Sequence, residues 1–309
     1  QHRHIDTVLG GEANARTITN GLEAVRFVHN ALPEIGLQDI DLSTRFLGHE
    51  LKLPYLISSM TGGPARAKAI NFALAEAAEA KGVALGVGSQ RIALTDGAKA
   101  GIGREIRSRA PSILLMANIG AIQLVQDFSI DDVERLVDDI EANALILHIN
   151  PLQEALQAKG DHEWTGALDA IDGICRRLAL PVIAKEVGFG LSGKTASRLV
   201  DAGIAAIDVA GAGGTSWSAV EGELEDEDVR SRAGEVFRDW GIPTARAIVD
   251  CRAALPDTSL IASGGIRTGL DVARAIRLGA DIVGQAGAIL AAAIDGPEPV
   301  GRHIDQIEF

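Results

Sequence analysis

Aromatic side chains are scarce in this chain, 4% of 309 residues, and there are only two cysteines. The first scarcity excludes a core built on large rings. With 47% hydrophobic residues the interior must be assembled from Ala, Val, Ile and Leu, as in parallel sheets covered by helices on both faces. The second leaves no disulfide framework and no thiolate metal spacing, since Cys175 and Cys251 each fall inside an amphipathic helical pattern. No apolar run approaches the roughly 20 residues of a membrane helix, and the first residues are polar rather than signal-like. Basic residues are also in deficit: 29 Lys and Arg against 42 Asp and Glu give a net charge of −13. That balance argues against a nucleic-acid footprint or an anionic-membrane surface, while leaving room for a local basic pocket that holds phosphate. These absences predict a soluble, cytoplasmic protein with no nucleic-acid or membrane partner.

What is present is a repeated joint. Eight short apolar runs occur in order, at 55–58, 84–87, 113–117, 144–148, 182–186, 205–209, 260–263 and 281–285, with helical patterns between them. After Ser129, Asp131 caps a helix with Glu134 three residues on, and Val133, Leu136, Val137 and Ile140 form its apolar face. Gly82, Gly203 and Gly279 each stand between a helical pattern and the next apolar run, where a left-handed residue ends the helix. Strand and helix alternating eight times predict a single parallel (β/α)8 TIM barrel over 1–309, with a doubly wound open sheet as the second choice. A segment of about 1–50 precedes the first barrel strand. An acidic excursion at 216–240, richest between Glu221 and Glu235, reads as solvated or as a lid before the helix at 244–255.

In a barrel the chemistry belongs at the C-terminal ends of the strands. The fourth run delivers His148, Asn150, Gln153 and Glu154 at one place, and Pro151 suggests that a loop begins there. These four groups either form a site or satisfy one another. Lys185 ends an apolar run, where an unpaired charge is costly, so it is expected to meet an anion. Loop seven, Ser263-Gly264-Gly265-Ile266-Arg267, and loop eight, Gln285-Ala286-Gly287, are where barrels bind phosphate: glycines let backbone N–H groups approach the oxygens, and a following helix adds its dipole. Glu154 is the candidate magnesium ligand, because a hard cation takes one or two carboxylates and completes its shell with water and substrate phosphate. Arg91 either adds charge neutralisation or makes a rim salt bridge. Ser58, Ser59 and Ser89 have no evident Ser-His-Asp arrangement, which disfavours hydrolase chemistry.

Ser59-Met60-Thr61-Gly62-Gly63, Gly88-Ser89-Gln90-Arg91, Ala117-Asn118-Ile119-Gly120, His148-Ile149-Asn150-Pro151-Leu152-Gln153-Glu154, Lys185-Glu186, Gly213-Gly214-Thr215-Ser216-Trp217 and Ser263-Gly264-Gly265-Ile266-Arg267 together resemble the type 2 isopentenyl diphosphate isomerase family. The match runs through nearly the whole chain. Gly-Gly-Ile-Arg is shared widely among flavin barrels, whereas its combination with Asn-Pro-Leu-Gln-Glu is specific.

The resemblance implies reduced FMN, magnesium, NADPH as reductant, a homo-oligomer (tetramer or octamer), and interconversion of isopentenyl and dimethylallyl diphosphate. By similarity Ser59, Met60, Thr61, Ser89, Asn118, Lys185, Thr215, Gly265, Ile266, Arg267, Ala286 and Gly287 would hold FMN. Arg3, Ser89, Gln90, Arg91, His148, Asn150 and Gln153 would face the diphosphate substrate, with Gln153 and His148 the catalytic candidates and Glu154 on magnesium. The reaction adds a proton at the terminal alkene carbon and removes one from the carbon beside the diphosphate-bearing one, with no net redox change. Reduced flavin would be the acid and base, and Gln153, which does not titrate near neutrality, would orient substrate or relay a proton. The competing readings are an FMN-dependent 2-hydroxy acid oxidase-like oxidoreductase and a flavin-binding barrel without turnover. The oxidase would need a histidine base near strand seven, where Ser263-Gly264-Gly265 carries none.

Overall fold

Successive side chains of a strand point to opposite sides, so a run that is apolar throughout must fill two different spaces. In the computed structural model, which describes residues 2–60, 65–91, 103–126, 128–224 and 228–308, the eight runs do so. A short antiparallel hairpin, β1 (Thr44–Phe46) and β2 (His49–Leu51), precedes the barrel strands β3 (Tyr55–Ile57), β4 (Ala84–Gly86), β5 (Leu115–Gly120), β6 (Ala144–His148), β7 (Val182–Lys185), β8 (Ala206–Asp208), β9 (Ser259–Ala262) and β10 (Ile282–Gln285). These eight pair in parallel and close in the order β10-β3-β4-β5-β6-β7-β8-β9, a (β/α)8 barrel.

One set of alternate residues, including Leu56, Met116, Ile146, Ile183, Ile261 and Ile282, forms the inner core together with Phe46 and Leu51 of the hairpin. The other set, including Ile57, Leu85, Leu115, Leu147, Ile207 and Val283, packs with the helices. Both faces are buried, so the runs read as continuously apolar rather than alternating. The helices supply matching faces: in Ile130–Asp139, Val133, Leu136 and Val137 are buried. Gly82, Gly203 and Gly279 take the positive φ expected of them, 64°, 95° and 122°.

Two residues beyond the inner apolar positions the chain carries Ser58, Gly86, Asn118, His148, Lys185, Asp208, Ser263 and Gly284. The same period of two that turned their predecessors inward turns these inward one layer higher, toward the C-terminal mouth. The register sets His148 beside Lys185 and Lys185 beside Asp208 on neighbouring strands.

Three local expectations change. The helix after Ser129 is capped by Ser129 itself: Asp132 N–H donates to its hydroxyl at 3.2 Å, and the Asp132 carboxylate accepts from Ser129 N–H at 2.9 Å. Asp131 lies inside the first turn and binds Arg177 instead. The loop expected after His148 is a short helix, Pro151–Leu156, with Pro151 at its first turn, where a missing N–H costs nothing and a fixed φ helps. The excursion expected to be solvated or a lid contains two packed helices, Trp217–Leu224 and Asp228–Val236, and burial of Ser218 to Gly222 in the first rules out the solvated alternative there. They meet at small residues: a Cβ on Gly234 would lie 2.6 Å from Gly222 Cα. The cysteines behave as core thiols, with burial pushing Cys251 up to about 12 and Cys175 up to about 11.

Candidate active site

The polar layer forms the floor of two adjoining cavities at the mouth. The larger, about 460 Å³, is lined among the described residues by Ser58, Lys185, Thr215, Gly265, Ile266, Arg267, Ala286, Gly287 and His303, with Val8, Leu9 and Asn14 of the N-terminal segment. The smaller, about 240 Å³, is lined by Ser59, Met60, Ser89, Asn118, His148, Gln153 and Trp217, with Ile5, Val8, Val187 and Leu290. They share Val8, Lys185, Val187, Thr215, Trp217, Ala286 and Gly287, so they form one continuous space. Their volumes suit small-molecule ligands, for which ~300–1,000 Å³ is usual. The helix His2–Gly10 lies over this space through Ile5, Val8 and Leu9.

Hydrogen bonds fix the floor. Asn118 Nδ2 donates to Val87 O at 3.1 Å, which turns Oδ1 toward His148 Nδ1, 2.9 Å away. The amide oxygen only accepts, so Nδ1 carries the proton and Nε2 keeps a lone pair. Burial, with Lys185 and Arg91 nearby, holds the imidazole down to about 4, so this ring is neutral at pH 7. Lys185 does meet an anion: Nζ lies 3.5 Å from Asp208 Oδ2 and donates to Glu186 O at 2.9 Å. Ser263 Oγ holds the other oxygen of Asp208 at 2.6 Å. Glu186 turns away from the cavities, and its Oε2 accepts N–H bonds from Val187, Gly188, Phe189 and Gly190. Burial pushes its carboxyl up to about 7, against the Phe189, Gly188 and Val187 donors and the charge of Lys185.

The expected flavin residues converge. Ser59, Met60, Ser89, Asn118, Lys185, Thr215, Gly265, Ile266, Arg267, Ala286 and Gly287 all line the joined space; Thr61 falls outside the described residues. Of the expected substrate residues, Ser89, His148 and Gln153 line the smaller cavity. Gln90 is buried behind it, its Oε1 accepting from Asn118 N–H at 3.1 Å. Asn150 Nδ2 bridges Gln153 Oε1 at 3.1 Å and Glu154 Oε1 at 2.8 Å. Arg91 forms the rim salt bridge, 3.1 Å from Asp161 Oδ2. The side chain of Arg3 lies outside the described residues.

Two groups escaped the sequence reading. Asp208 is an acid inside an apolar run, the same signal that marked Lys185, and strand adjacency makes them partners. Glu221 was hidden in the acidic stretch: it is buried, and its Oε1 accepts from Gln153 Nε2 at 2.8 Å and Gln157 Nε2 at 2.9 Å. The Gln153 bond to Glu221, with the Asn150 Nδ2 donor on its other side, fixes the Gln153 amide with its oxygen toward Asn150.

The fit to a flavin phosphate rests on this geometry. The buried hydroxyls of Ser58 and Ser59 have no hydrogen-bond partner among the described residues, and the helix Gly287–Asp295 opens its N-terminus onto the larger cavity, which Arg267 also lines. For a metal, Glu154 is buried and each carboxylate oxygen accepts one hydrogen bond, from Asn150 Nδ2 and from Asp161 N–H at 2.9 Å, leaving further lone pairs. Asn150 Oδ1 beside it is buried and has no hydrogen-bond partner among the described residues. Among the described residues no group of three or more His, Cys, Asp or Glu side chains could hold a metal by itself, so this donor set suits a cation carried largely by a phosphate ligand.

A barrel with paired glycine loops, a buried lysine and a helix N-terminus at one mouth defines the class of FMN-dependent barrels, and the FMN-dependent dehydrogenase family matches residues 1–105 and 130–308. A flavocytochrome b2 variant with sulfite bound superposes with a TM-score of 0.69 at 17% identity, covering 99% of this chain and 77% of that one, a likeness of fold alone. Within the class the sequence is far closer to isopentenyl-diphosphate delta-isomerases. That of Xanthobacter autotrophicus is 58% identical over 305 residues, 98% of this chain and 88% of the relative, and that of Vibrio parahaemolyticus is 54% identical over 304 residues, 98% and 90%. The chain belongs to the type 2, FMN-dependent isopentenyl diphosphate isomerase family.

Proposed function

We propose that this protein interconverts isopentenyl and dimethylallyl diphosphate with FMN and magnesium, in the cytoplasm, with NADPH as reductant. The observation that carries the reading is the smaller cavity: an apolar wall of Ile5, Val8, Met60, Val187, Trp217 and Leu290 faces Gln153 and neutral His148, and its described lining holds no carboxylate. A five-carbon alkene fits such a wall. Bound reduced FMN would supply a proton donor and acceptor beside an electron-rich ring. The protein's own groups then bind, orient and shield. Lys185 contributes positive charge at the floor shared by both cavities. Gln153, anchored by Glu221, orients the alkene or relays a proton, and the neutral His148 offers Nε2 as an acceptor. Glu154, with magnesium, and Arg91 and Arg3 neutralise the diphosphate. The helix His2–Gly10 keeps water from trapping developing cationic charge.

A homo-oligomer, tetramer or octamer, belongs to the same reading. It is supported by the side chains of Phe27, Val28, Leu32, Ile35, Leu37 and Ile40, which are apolar and exposed among the described residues.

The oxidase reading is disfavoured by the loop after the seventh barrel strand, where a histidine base is expected and Ser263-Gly264-Gly265 carries none. The test is anaerobic conversion of isopentenyl diphosphate by the FMN- and magnesium-loaded protein with reductant. Gln153→Ala is expected to lower turnover at least 100-fold while FMN affinity stays within twofold. Flavin reduction by a 2-hydroxy acid without isomer formation would overturn the assignment.

A further inference from the structure

His303, on the helix Pro297–Glu308, lines the larger cavity and has no part in the reading above. Its Nε2 lies 2.8 Å from Gln285 Oε1. The Gln285 amide is oriented by its surroundings: Nε2 donates to Ile266 O at 3.2 Å, so Oε1 faces the other way and also accepts from the Tyr55 hydroxyl at 2.7 Å. An amide oxygen has no proton to give, so His303 Nε2 carries the hydrogen and the tautomer is fixed. The other nitrogen, Nδ1, makes no hydrogen bond to a described residue. Gln285 does not need this histidine, because Tyr55 already satisfies its oxygen and Ile266 its N–H. The arrangement leaves a ring with one committed and one uncommitted nitrogen on the lining of the cavity that Gly265, Arg267, Ala286 and Gly287 also line.

We propose that His303 is a side-chain ligand of the FMN phosphate, binding a phosphate oxygen through Nδ1 alongside Arg267 and the N-terminus of Gly287–Asp295. A phosphate monoester loses its second proton near pH ~6, close to the range of an imidazole. One proton shared between Nδ1 and a phosphate oxygen gives a charge-assisted hydrogen bond whichever atom holds it. Burial holds the ring below the usual imidazole value, which favours a neutral ring with Nδ1 as acceptor. The inference rests on the reading of this cavity as the phosphate end of the FMN site.

The test separates phosphate from ring. Apoprotein is titrated with FMN and with riboflavin, which lacks the phosphate, and flavin fluorescence is followed for wild type, His303→Ala and His303→Gln. His303→Ala is expected to weaken FMN at least tenfold, about 1.4 kcal/mol, and to change riboflavin affinity less than twofold. Gln retains an N–H for Gln285 and takes the place of Ala if the latter does not fold, with the same two readouts. FMN affinity within twofold of wild type in the folded variants, or equal losses for FMN and riboflavin, would overturn the role of His303 while leaving the flavin site intact. Failure of the wild type to bind FMN would overturn both.

Discussion

His148 shows what burial does to a single residue at this site. Its folded-state pKa of about 4 lies below the ordinary 6.5, so the unfolded chain takes up the proton first as pH falls. The stability contributed by the neutral ring is therefore present above about pH 6.5 and is lost as pH drops toward 4. Glu186, raised to about 7 by burial, acts in the opposite sense, its contribution being lost as pH rises from 4.5 to 7. The histidine's part is isolated by comparing urea midpoints of wild type and His148→Asn at pH 7 and pH 4.5. The wild type should lose more stability on acidification than the variant, and equal losses would show that the ring is not held neutral by the fold. The same burial explains why Asp208 and Glu221 escaped the sequence reading. A carboxylate's partner is fixed by strand register and helix packing, and neither is visible in local composition.

Among the elements, the loops after β8 and β9 carry the tightest constraint. They interlock backbone to backbone: a Cβ on Gly214 would sit 2.6 Å from Gly265 N and 2.8 Å from its Cα. Glycine there serves loop-to-loop packing, beside the approach to phosphate that the proposed flavin site would need. Gly214→Ala should cost about 1–3 kcal/mol of stability by overpacking, and it should weaken FMN by displacing Gly265. Gly173→Ala, on a helix where the added Cβ meets nothing within 4 Å, should leave both urea midpoint and flavin affinity unchanged or slightly improved. The strands were legible because burial on both faces makes each run apolar throughout, and the joints because glycine closes the preceding helices. β5 runs on to Gly120, beyond the 117 expected, because polar Asn118 faces inward at the mouth while Ile119 stays in the outer core. The helix Trp217–Leu224 was not legible as packed structure, since its burial depends on the neighbouring Pro151–Leu156 and Asp228–Val236.

At the scale of the whole molecule, the apolar layers of the barrel end in a polar layer beneath two joined cavities, and a helix from the other end of the sequence covers them. On the proposed function, that architecture would hold a flavin and a small alkene in adjoining cavities. The described residues lining the smaller cavity include no carboxylate, so on the proposed function proton exchange should go through the reduced cofactor and its hydrogen-bonded neighbours. The most direct measurement is NMR of the product formed anaerobically in deuterated water from isopentenyl diphosphate, with FMN, magnesium and reductant present. The account predicts dimethylallyl diphosphate carrying solvent deuterium in a methyl group, formed only when the flavin is reduced. Product without deuterium, or turnover that proceeds equally with oxidised flavin, would contradict it.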